Sequence, residues 1–405
     1  MNLQKVTFKN ANGETLVGRL AFPVNQLPHN FVLFAHCFTC NKNFKAVKNI
    51  SKALTDLGFG VLRFDFTGLG ESEGEFSDSN FSGNVEDLLE AANYLKENYT
   101  SPTLIIGHSL GGAAAILASK KISSIRAIAT IGAPSSPLHV KHIFKNDIDA
   151  INNKGVAEVN IGGRNFTIKQ QFLEDLKSHS FQETLRNIDK SILILHSPQD
   201  TIVEIKNAEE IYIAAHHPKS FVSLDGADHL LNDPIDASYA GEIIGGWSKR
   251  YLDMPGPIAL ETEQEVIASL DKEDGFTTQM KVGSHYMIAD EPVSYGGNNF
   301  GPSPYELVSA GLSACTVMTI QMYTKRKKWP LVNVEVHTSY QKIHAADCGN
   351  CESSEAKIDT FNRAIKLTGD LDEKQISKIL EIADKCPVHR TLHSETRVIT
   401  TLINK

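Results

Sequence analysis

The stretch Gly107-His108-Ser109-Leu110-Gly111-Gly112 constrains the fold of this chain more than any other feature. A short apolar run at residues 103–106 precedes it, and a run of small residues at 113–119 follows it. This order predicts a strand, a sharp turn and a helix. Glycines allow the backbone to pass through a tight corner, and they leave Ser109 exposed at its apex. A serine hydroxyl is a weak nucleophile alone, so the chain must also supply a base and an orienting acid.

The overall composition indicates an ordinary globular protein. Its 405 residues favour two or three domains, and 41% of them are hydrophobic. A net charge of −8 argues against nucleic acid or an acidic membrane as a partner. Residues 1–6 contain no apolar signal sequence, and no stretch approaches the roughly 18 apolar residues of a membrane span. We therefore expect a cytoplasmic protein whose six cysteines are thiols, metal ligands or redox groups rather than structural bridges.

Two parts of different character are separated by a Pro/Gly-containing stretch that begins at Tyr251 and then turns acidic. We assign residues 1–250 to a first domain, 251–274 to a linker and 275–405 to a second domain. In the first domain, strand and helix patterns alternate, which predicts a mostly parallel α/β sheet. The predicted strands are 31–35, 61–66, 103–106, 127–131, 191–195 and 221–224.

Five short motifs follow one another in the first domain. They are His36-Cys37-Phe38-Thr39, Asp65-Phe66-Thr67-Gly68-Leu69-Gly70, the Ser109 turn, Ser197-Pro198-Gln199-Asp200 and Gly226-Ala227-Asp228-His229. In this order, they make residues 1–250 resemble the α/β-hydrolase fold family. The resemblance implies a parallel sheet flanked by helices, a small lid between Ser135 and Asp189, and serine hydrolase activity. The lid segment holds few aromatic residues, which argues against a large lipid-like acyl pocket.

The motifs assign catalytic roles to three residues. Ser109 would attack an acyl carbonyl, and His229 would accept its proton and later return it to the leaving group. Asp200, which follows a predicted strand, would hold the tautomer of His229 and stabilise its imidazolium form. Asp228 and Asp225 are rival acids, but Asp228 adjoins His229, and neighbouring loop side chains rarely converge correctly. We predict a triad of Ser109, His229 and Asp200.

The oxyanion hole is expected to use two backbone N–H groups. One belongs to Leu110, directly after the nucleophile, and the other to Phe38, in the loop after the strand at 31–35. This loop also contains a C-x-x-C pattern formed by Cys37 and Cys40, which raises a metal-binding or redox alternative. We favour two small, packed cysteines, because a metal ion would collide with the oxyanion hole.

The first half of the second domain predicts a hairpin followed by a long helix. Residues 276–282 and 285–289 have strand character and are joined by a Gly-Ser pair. Ser303-Pro304-Tyr305-Glu306 supplies an N-cap, a proline at the first helical position and a capping-box glutamate. The helix reaches about Lys325, carries Cys315 and is apolar on more than one face, so we expect it to be central and buried.

The second half predicts two strands, at 332–337 and 361–367, and further helices. Asp370 and Glu373 form a capping pattern ahead of one helix. Cys386 precedes a proline, which places it at a helix N-terminus, where the dipole and free N–H groups lower a thiol pKa. Apolar residues at helical spacing predict the inner face of the helix after Asp370: Ile376, Ile379, Leu380 and Ala383.

Three signatures in this part carry a second resemblance. They are Gly301-Pro302-Ser303-Pro304-Tyr305-Glu306-Leu307, Ser313-Ala314-Cys315-Thr316 and Cys386-Pro387-Val388. Residues 275–405 thereby resemble the OsmC-like family, which includes the organic hydroperoxide resistance proteins. The resemblance implies an α+β fold with two central helices, which forms an intertwined homodimer. It also implies that Cys315 reduces an organic hydroperoxide, that Cys386 resolves the sulfenic acid with a dithiol reductant restoring both, and that Glu306 is an active-site carboxylate.

One departure from that family affects the expected activity. Its active members use an arginine from an N-terminal strand to activate the thiolate, whereas residues 251–325 contain no arginine. Lys281 or His285 are candidates to replace it, but an ammonium does not copy a guanidinium fork. The second domain is therefore either a slow peroxidase or an inherited scaffold with two buried cysteines.

A further C-x-x-C pattern, Cys348-Gly349-Asn350-Cys351, lies in a polar, acidic loop. It supplies half of a zinc site, which His344 and Asp347 are close enough to complete. It is equally compatible with a redox pair that relays electrons to Cys315 and Cys386, or with two unliganded thiols. These alternatives stay open.

Together these interpretations favour a serine hydrolase that cleaves an ester-type bond of a small molecule through an acyl-enzyme, fused to an OsmC-like two-cysteine domain. The first alternative is a thiol-dependent organic hydroperoxide reductase with an accessory hydrolase. The second is an OsmC-like half that serves as a non-catalytic dimerisation scaffold. We expect no cofactor, no metal, no nucleic-acid or membrane partner, and a homodimer formed through the second domain.

Overall fold

The computed structural model describes residues 2–24, 27–144, 147–161, 164–254, 260–272, 274–344 and 357–403. The chain divides into two units, Met1–Glu263 and Gln264–Lys405, which are described separately below. The division falls within the stretch that the sequence analysis assigns to a linker, residues 251–274.

An eight-stranded sheet with the order β1-β2-β4-β3-β5-β6-β9-β10 organises the first unit. Only β2 runs antiparallel to its neighbours, and the remaining pairs of this sheet are parallel. Two further strands, β7 and β8, form a separate hairpin. The strands are β1 (Asn2–Lys9), β2 (Thr15–Phe22), β3 (Asn30–Ala35), β4 (Phe59–Phe64), β5 (Leu104–His108), β6 (Ala127–Ile131), β7 (Val156–Ile161), β8 (Arg164–Lys169), β9 (Ser191–His196) and β10 (Lys219–Ser223).

Helices cover both faces of this sheet, so its central strands are buried on both sides. The helices are α1 (Lys45–Asp56), α2 (Phe81–Asn98), α3 (Leu110–Lys121), α4 (Ile148–Lys154), α5 (Gln170–Ser178), α6 (Phe181–Arg186), α7 (Lys206–Ala214) and α8 (Pro234–Ser248). On one face α1 and α8 share a core with the strands. A Cβ atom on Gly241 of α8 would lie 2.9 Å from the carbonyl oxygen of Ile50 in α1, so glycine permits this close packing.

The parallel strands bring the predicted catalytic residues to one edge of the sheet. Ser109 directly follows β5, Asp200 lies in the turn after β9, and His229 follows β10. Because β5, β6, β9 and β10 are consecutive neighbours, their carboxyl ends lie side by side. The connections at this edge therefore hold residues that are far apart in sequence, as is usual in open α/β sheets.

The second unit has an α+β architecture with two small sheets. One is the antiparallel sheet β11-β12-β13, and the other is the long antiparallel pair β14-β15. The elements are β11 (Val266–Ser269), β12 (Thr278–Val282), β13 (His285–Ala289), α9 (Pro304–Lys327), β14 (Leu331–His344), β15 (Lys357–Gly369), α10 (Glu373–Ala383) and α11 (Pro387–Leu392). The predicted linker is wrong at its C-terminal end, because β11 pairs with β12 there. Within the described ranges, no helix has the length and apolar character needed to cross a membrane.

Helix α9 buries one stripe of side chains rather than several faces. The buried residues recur every four positions and are Leu312, Thr316, Ile320 and Thr324. Other apolar side chains of the helix face solvent, with Met318 63% and Met322 73% exposed. The prediction of a helix buried on more than one face is therefore wrong for a single copy of the chain. On α10, Ile379 and Ala383 are buried, whereas Ile376 and Leu380 are exposed.

The sequence analysis predicted the capping residues of α9 correctly but not those of α10. Ser303 and Glu306 form the predicted capping box at the start of α9. The corresponding prediction for α10 is wrong, because Asp372 caps the helix together with Gln375. Asp370 also precedes the helix, but it lies two positions too early to accept from the free N–H groups of the first turn.

Candidate active site

Ser109 occupies the turn between β5 and α3, with backbone angles of φ 56° and ψ −127°. Neighbouring glycines make this turn possible. A Cβ atom on Gly107 would lie 2.3 Å from the carbonyl oxygen of Gly111, and one on Gly111 would lie 2.3 Å from that of His36. The Ser109 N–H donates to the carbonyl oxygen of Ile131 in β6 at 2.8 Å. The serine is thus held at the carboxyl edge of the sheet.

A chain of hydrogen bonds links Ser109 to His229 and Asp200. The distance from His229 Nε2 to Ser109 Oγ is 3.0 Å, and that from His229 Nδ1 to Asp200 Oδ2 is 2.6 Å. Because a carboxylate only accepts hydrogen bonds, the proton of the neutral ring lies on Nδ1. Nε2 is then the acceptor for the serine hydroxyl. The structure therefore brings the three predicted residues together in an arrangement that suits proton transfer from Ser109.

Asp200 is held as a carboxylate by several donors. Besides His229, the backbone N–H groups of Ile202 and Val203 donate to Oδ1, each at 2.9 Å. Burial alone would raise the pKa of Asp200, but the hydrogen bonds from His229 and these two amides keep the pKa below its ordinary value. The acid therefore remains ionised and fixed in orientation beside the imidazole.

The two rival acids face other groups. The carboxylate of Asp228 accepts from the backbone N–H of Asn232 at 3.0 Å and from the side-chain amide of Asn232 at 2.7 Å. Asp225 accepts from the hydroxyl of Ser223 at 2.6 Å. Both acids therefore stabilise the loop that carries His229, whereas Asp200 contacts its ring.

Two features beside the triad were missed by the sequence analysis. His108 Nε2 donates to the backbone carbonyl of His229 at 2.7 Å. Burial, followed by the nearby His229, lowers the pKa of His108 to about 4, so its ring is neutral near pH 7. Gly132, with φ 55°, leaves little room for a side chain: a Cβ atom there would lie 3.3 Å from His229 Nδ1 and 3.4 Å from Asp200 Oδ2. The sequence signal that could have identified Gly132 is its position directly after β6, which lies between β5 and β9 in the sheet.

The predicted oxyanion donors lie on two segments that pack together. Leu110 is the first residue of α3, and Phe38 belongs to the loop after β3. The loop and the start of the helix approach closely. A side chain on Gly111 would collide with the carbonyl oxygens of Ala35 and His36, so glycine permits this approach. The N-terminus of a helix next to such a loop is a favourable place for developing negative charge.

Cys37 and Cys40 are joined by a disulfide that closes a four-residue ring around Phe38 and Thr39. The expectation of two unlinked, packed cysteines is therefore wrong, whereas the redox alternative for this pair stays open. The two Cα atoms are 5.3 Å apart, because the backbone turns back on itself between them, with the Cys40 N–H donating to the carbonyl oxygen of Cys37 at 3.1 Å. A metal is excluded for this pair as long as the bridge exists.

A buried ion pair anchors the end of the same loop. Lys42 is fully buried, and its ammonium group contacts the carboxylate of Asp65 and lies 2.8 Å from Glu71. The Lys42 N–H also donates to Asp65 at 2.6 Å. The guanidinium of Arg63 donates to the Lys42 carbonyl at 2.5 Å. A charge pair with this many partners fixes the loop strongly, because loss of one partner would leave a buried charge unpaired.

The lid contributes aromatic side chains near the oxyanion loop. The ring of Phe38 lies 5.3 Å from Phe172 of α5 and 5.5 Å from Phe76, and Phe76 lies 4.9 Å from Phe166 of β8 (centroid distances). The sequence analysis counted few aromatic residues in the lid, but the fold gathers them at one place. Arg164 of β8 also donates to the carbonyl oxygen of Thr39. The lid thus packs directly on the loop that carries Phe38.

In the second unit, Cys315 and Cys386 are free thiols in different settings. Cys386 is fully buried and is the N-cap of α11, with the N–H of His389 donating to its sulfur at 3.3 Å. The hydroxyl of Thr316 lies 3.7 Å from the same sulfur. Cys315, the residue before Thr316 on α9, is partly exposed.

Arg363 of β15 supplies a guanidinium to this cluster, although the sequence analysis did not consider it. It donates to Thr316 Oγ1 at 2.8 Å, to the carbonyl oxygen of Ala383 at 3.1 Å and to Asp384 at 2.7 Å. The sequence analysis missed it because the resemblance places the activating arginine on an N-terminal strand, whereas Arg363 lies on a strand that follows α9. The candidates Lys281 and His285 lie on β12 and β13.

Glu306, another predicted residue of this unit, takes part in helix capping. The carboxylate of Glu306 accepts from the N–H of Ser303 at 2.7 Å as part of the capping box. Cys348, Cys351 and Asp347 lie outside the described residues, and His344 is the last residue of β14. Within the described part of the chain, no three His, Cys, Asp or Glu side chains are grouped closely enough to hold a metal ion.

Comparison with protein families gives two matches, one in each unit. Residues 27–145 match the family described as serine aminopeptidase, S33. Residues 296–401 match the family described as OsmC-like protein. The matches cover the oxyanion loop and Ser109 in the first unit, and both Cys315 and Cys386 in the second.

Solved structures and curated proteins resemble the first unit. The esterase domain from a Rhodothermus marinus protein is 46% identical, with 62% of this chain and 99% of that domain covered and a TM-score of 0.52. Est1E from Butyrivibrio proteoclasticus, solved with ferulic acid, shares the fold at 19% identity, with 61% and 98% covered and a TM-score of 0.53. The lysophosphatidylserine lipase ABHD12 of Danio rerio is 27% identical over 48% of this chain and 50% of its own length. The chain thus spans about half the length of the curated relatives that it matches first.

Proposed function

Because the chain belongs to the α/β-hydrolase enzymes through its first unit and carries an OsmC-like second unit, we propose that it hydrolyses small-molecule carboxylic esters with Ser109 as nucleophile. The observation that supports this proposal is the hydrogen-bond chain from Ser109 through His229 to Asp200. An ester is favoured over an amide because the relative with 46% identity is named an esterase domain. The family name serine aminopeptidase makes an amide the competing substrate class.

The proposed reaction begins with attack of Ser109 Oγ on the acyl carbonyl. His229 Nε2 accepts the hydroxyl proton, and the resulting imidazolium is stabilised by Asp200. The negative charge that develops on the carbonyl oxygen is stabilised by the N–H groups of Leu110 and Phe38. His229 then donates the proton to the departing alcohol, which leaves Ser109 acylated.

Hydrolysis of the acyl-enzyme repeats these roles with water as the nucleophile. His229 Nε2 removes a proton from the water, and the oxyanion donors stabilise the second tetrahedral intermediate. The same imidazole then returns the proton to Ser109 Oγ as the carboxylic acid leaves. The aromatic side chains around Phe38 give the site an apolar wall, so we expect uncharged aliphatic or aromatic acyl groups to be preferred.

The test is a panel of p-nitrophenyl esters of graded acyl length, with the matching p-nitroanilides as amide controls. The full-length protein should hydrolyse the esters, and Ser109→Ala should lose activity by about 10⁴-fold or more while melting like the wild type. Retention of most ester hydrolysis in Ser109→Ala would overturn the proposal. Faster cleavage of the anilides than of the esters would transfer the assignment to an amidase.

A second activity is supported by the cluster around Cys386. We propose that Cys315 attacks an organic hydroperoxide, which releases an alcohol and leaves a sulfenic acid on Cys315. Cys386 then attacks that sulfur, which forms a disulfide and releases water, and a dithiol reductant restores both thiols. The His389 N–H donates to the sulfur of Cys386, and such a donor stabilises negative charge on sulfur when the thiol reacts.

A cavity beside this cluster offers a place for the hydroperoxide. Its volume is about 810 Å³, and its lining combines apolar side chains with Arg363, His389 and His393. Such a mixture suits a molecule with an apolar tail and a polar head. The test is mass spectrometry after treatment with cumene hydroperoxide, which should reveal a reducible peptide that joins Cys315 to Cys386. Free Cys315 and Cys386 thiols after incubation with excess peroxide and no added reductant would leave the second unit without this activity.

We further propose that the second unit forms a homodimer. A single copy leaves apolar side chains of this unit exposed on α9 and along the C-terminal segment: Met318, Met322, Val398, Ile399, Leu402 and Ile403. Residues 398–403 belong to no helix or strand in the described structure, and exposed apolar segments of this kind tend to pack against another chain. If the unit is only a dimerisation scaffold, dimer formation will persist when the peroxide reaction is absent.

A further inference from the structure

The disulfide between Cys37 and Cys40 brackets the residue whose N–H is proposed to stabilise the oxyanion. Only Phe38 and Thr39 lie between the two cysteines. Thr39 has φ 64°, a conformation that a β-branched residue adopts at a cost. A covalent ring of four residues restricts this segment more than the single hydrogen bond from the Cys40 N–H to Cys37 can.

Both flanks of the ring are fixed by contacts that do not involve the bridge. On one side, His36 Nδ1 donates to the Cys37 carbonyl at 2.8 Å, and the start of α3 packs on the His36 carbonyl. On the other side, the buried Lys42 ammonium contacts Asp65. Opening the disulfide would therefore loosen the backbone at Phe38 and Thr39, which the ring contacts of Phe38 and the bond from Arg164 to Thr39 still restrain. The rest of the loop and the hydrogen-bonded Ser109, His229 and Asp200 would keep their positions.

The two sulfur atoms differ in accessibility. Cys37 is buried, whereas Cys40 is partly exposed. Thiol–disulfide exchange starts with attack of an external thiolate on an accessible sulfur. The attack is therefore expected at Cys40, with Cys37 as the leaving group.

We propose that Cys37–Cys40 is a reversible thiol–disulfide modification site that controls hydrolysis, and that dithiols are the reductants it accepts. The inference rests on the proposed roles of Ser109 and Phe38. One thiolate of the dithiol attacks the Cys40 sulfur, and the Cys37 thiolate leaves and takes a proton. The second thiolate of the reductant then attacks the reductant's own sulfur in the mixed disulfide and releases Cys40 as a thiol. Two electrons and two protons pass to the protein, and the dithiol becomes a cyclic disulfide.

Reduction is expected to lower kcat rather than to raise KM. Loss of one oxyanion donor costs about 10²- to 10³-fold in kcat in comparable enzymes. A donor that is loosened rather than removed should cost less, and we expect a fall of roughly tenfold. The Phe38 ring remains packed against Phe76 and Phe172, so substrate binding should change little.

The experiment uses the full-length protein in dithiothreitol buffers of graded redox poise, with p-nitrophenyl acetate as substrate. Hydrolysis and the fraction of the reduced Cys37–Cys40 peptide, measured by mass spectrometry after acid quenching, are followed in the same samples. The two curves should coincide, and kcat should fall about tenfold between their limits. Their coincidence separates this pair from the other four cysteines of the chain.

A double variant, Cys37→Ala/Cys40→Ala, provides the control. It should show the low kcat at every poise, and a fluorophosphonate probe should still label its Ser109. Unchanged hydrolysis after complete reduction of the peptide, or a double variant as active as the oxidised wild type, would overturn the inference. Failure of the proposed function looks different, because Ser109→Ala would then retain hydrolysis in both redox states.

Discussion

The two units of the chain differ in how much of their apolar surface is buried within one copy. In the first, the central strands are buried on both faces, and α1 and α8 share an extended core with them. In the second, the cluster of fully buried side chains consists of Ile320, Ile379 and Ala383, with partly buried neighbours around it. Apolar side chains of α9 and of the C-terminal segment stay exposed.

From this difference we expect the second unit, rather than the first, to depend on a partner. A domain gains most of its stability from apolar surface removed from water, and the first unit removes that surface within one copy. The second unit leaves part of it to be covered, as an obligate interface would. Hydrolysis should therefore belong to the single chain, whereas the thiol chemistry should depend on a pair of chains.

The largest expected effect is on ester hydrolysis and should leave the thiol chemistry of the second unit unchanged. Asp200→Asn should lower kcat for ester hydrolysis by about 10⁴-fold, because the asparagine favours the wrong tautomer of His229. Asp228→Asn, the matched control in the loop that carries His229, should cost less than tenfold, because Asp228 contacts Asn232 instead. Steady-state kinetics measure both, and the hydroperoxide-driven link between Cys315 and Cys386 should form normally in each variant. A reversed ranking of the two aspartates would contradict the site geometry.

A second prediction concerns the stability of the first unit alone. Burial raises the pKa of Asp87, which accepts from the Thr67 N–H, to about 6. Since the pKa in the unfolded chain is about 3.9, the protonated carboxyl favours the folded state, and its contribution is complete below about pH 4. As pH rises through 6 the contribution is lost, by roughly 3 kcal/mol in total. Urea unfolding followed by hydrolase activity should show this decline.

The variant Asp87→Asn should remove that part of the pH dependence. Glu97→Gln, an exposed position on the same helix, should leave it intact and serves as the control. An unchanged slope of unfolding free energy against pH in Asp87→Asn would show that another group titrates.

The third prediction tests the exposed face of α9. Met318→Glu should weaken dimer formation by about 2 kcal/mol, or some thirtyfold in Kd, because it places a charge in an apolar interface. Ile213→Glu makes the same change at an exposed position on α7 of the first unit and should have no effect on assembly. Sedimentation equilibrium measures both. A wild-type protein that is monomeric across the micromolar range would contradict the expectation that the second unit needs a partner.

The smallest expected effect concerns Arg363. Arg363→Lys should slow formation of the Cys315–Cys386 link about tenfold, because an ammonium cannot reproduce the fork that bonds Thr316, Ala383 and Asp384 at once. Lys366→Gln, on the same strand but exposed, is the control. Quenched-flow mass spectrometry provides the rates. Equal rates in wild type and Arg363→Lys would limit Arg363 to holding the strand against α9.

The features that the sequence predicted well share a local cause. The continuous apolar runs of β3, β5, β6 and β9 mark strands covered on both faces, and the glycines around Ser109 fix the turn within six residues. The features that it missed depend on contacts distant in sequence. Nothing local distinguishes Lys42 from a surface lysine, because its burial depends on an ion pair with Asp65, which directly follows β4.

The second unit illustrates the same limit. Arg363 meets Thr316 only through the packing of β15 on α9, which no periodicity reveals. Several faces of α9 are apolar in sequence, but burial also depends on the elements that pack against them. Within one copy of the chain, only one stripe of α9 is buried. For Asp370 and Asp372, two similar capping patterns lie two residues apart, and only the backbone geometry selects Asp372.

The backbone of Ser109 also restricts how this active site can evolve. At φ 56° and ψ −127°, a side chain with a single substituent on Cβ is tolerated at a cost, and a β-branched one is a severe outlier. Cysteine has the same branching as serine, so a single codon change to a thiol nucleophile is sterically open. Threonine, although it carries the same hydroxyl, is disfavoured by its branched Cβ. The turn therefore favours serine or cysteine over threonine as the nucleophile at this position.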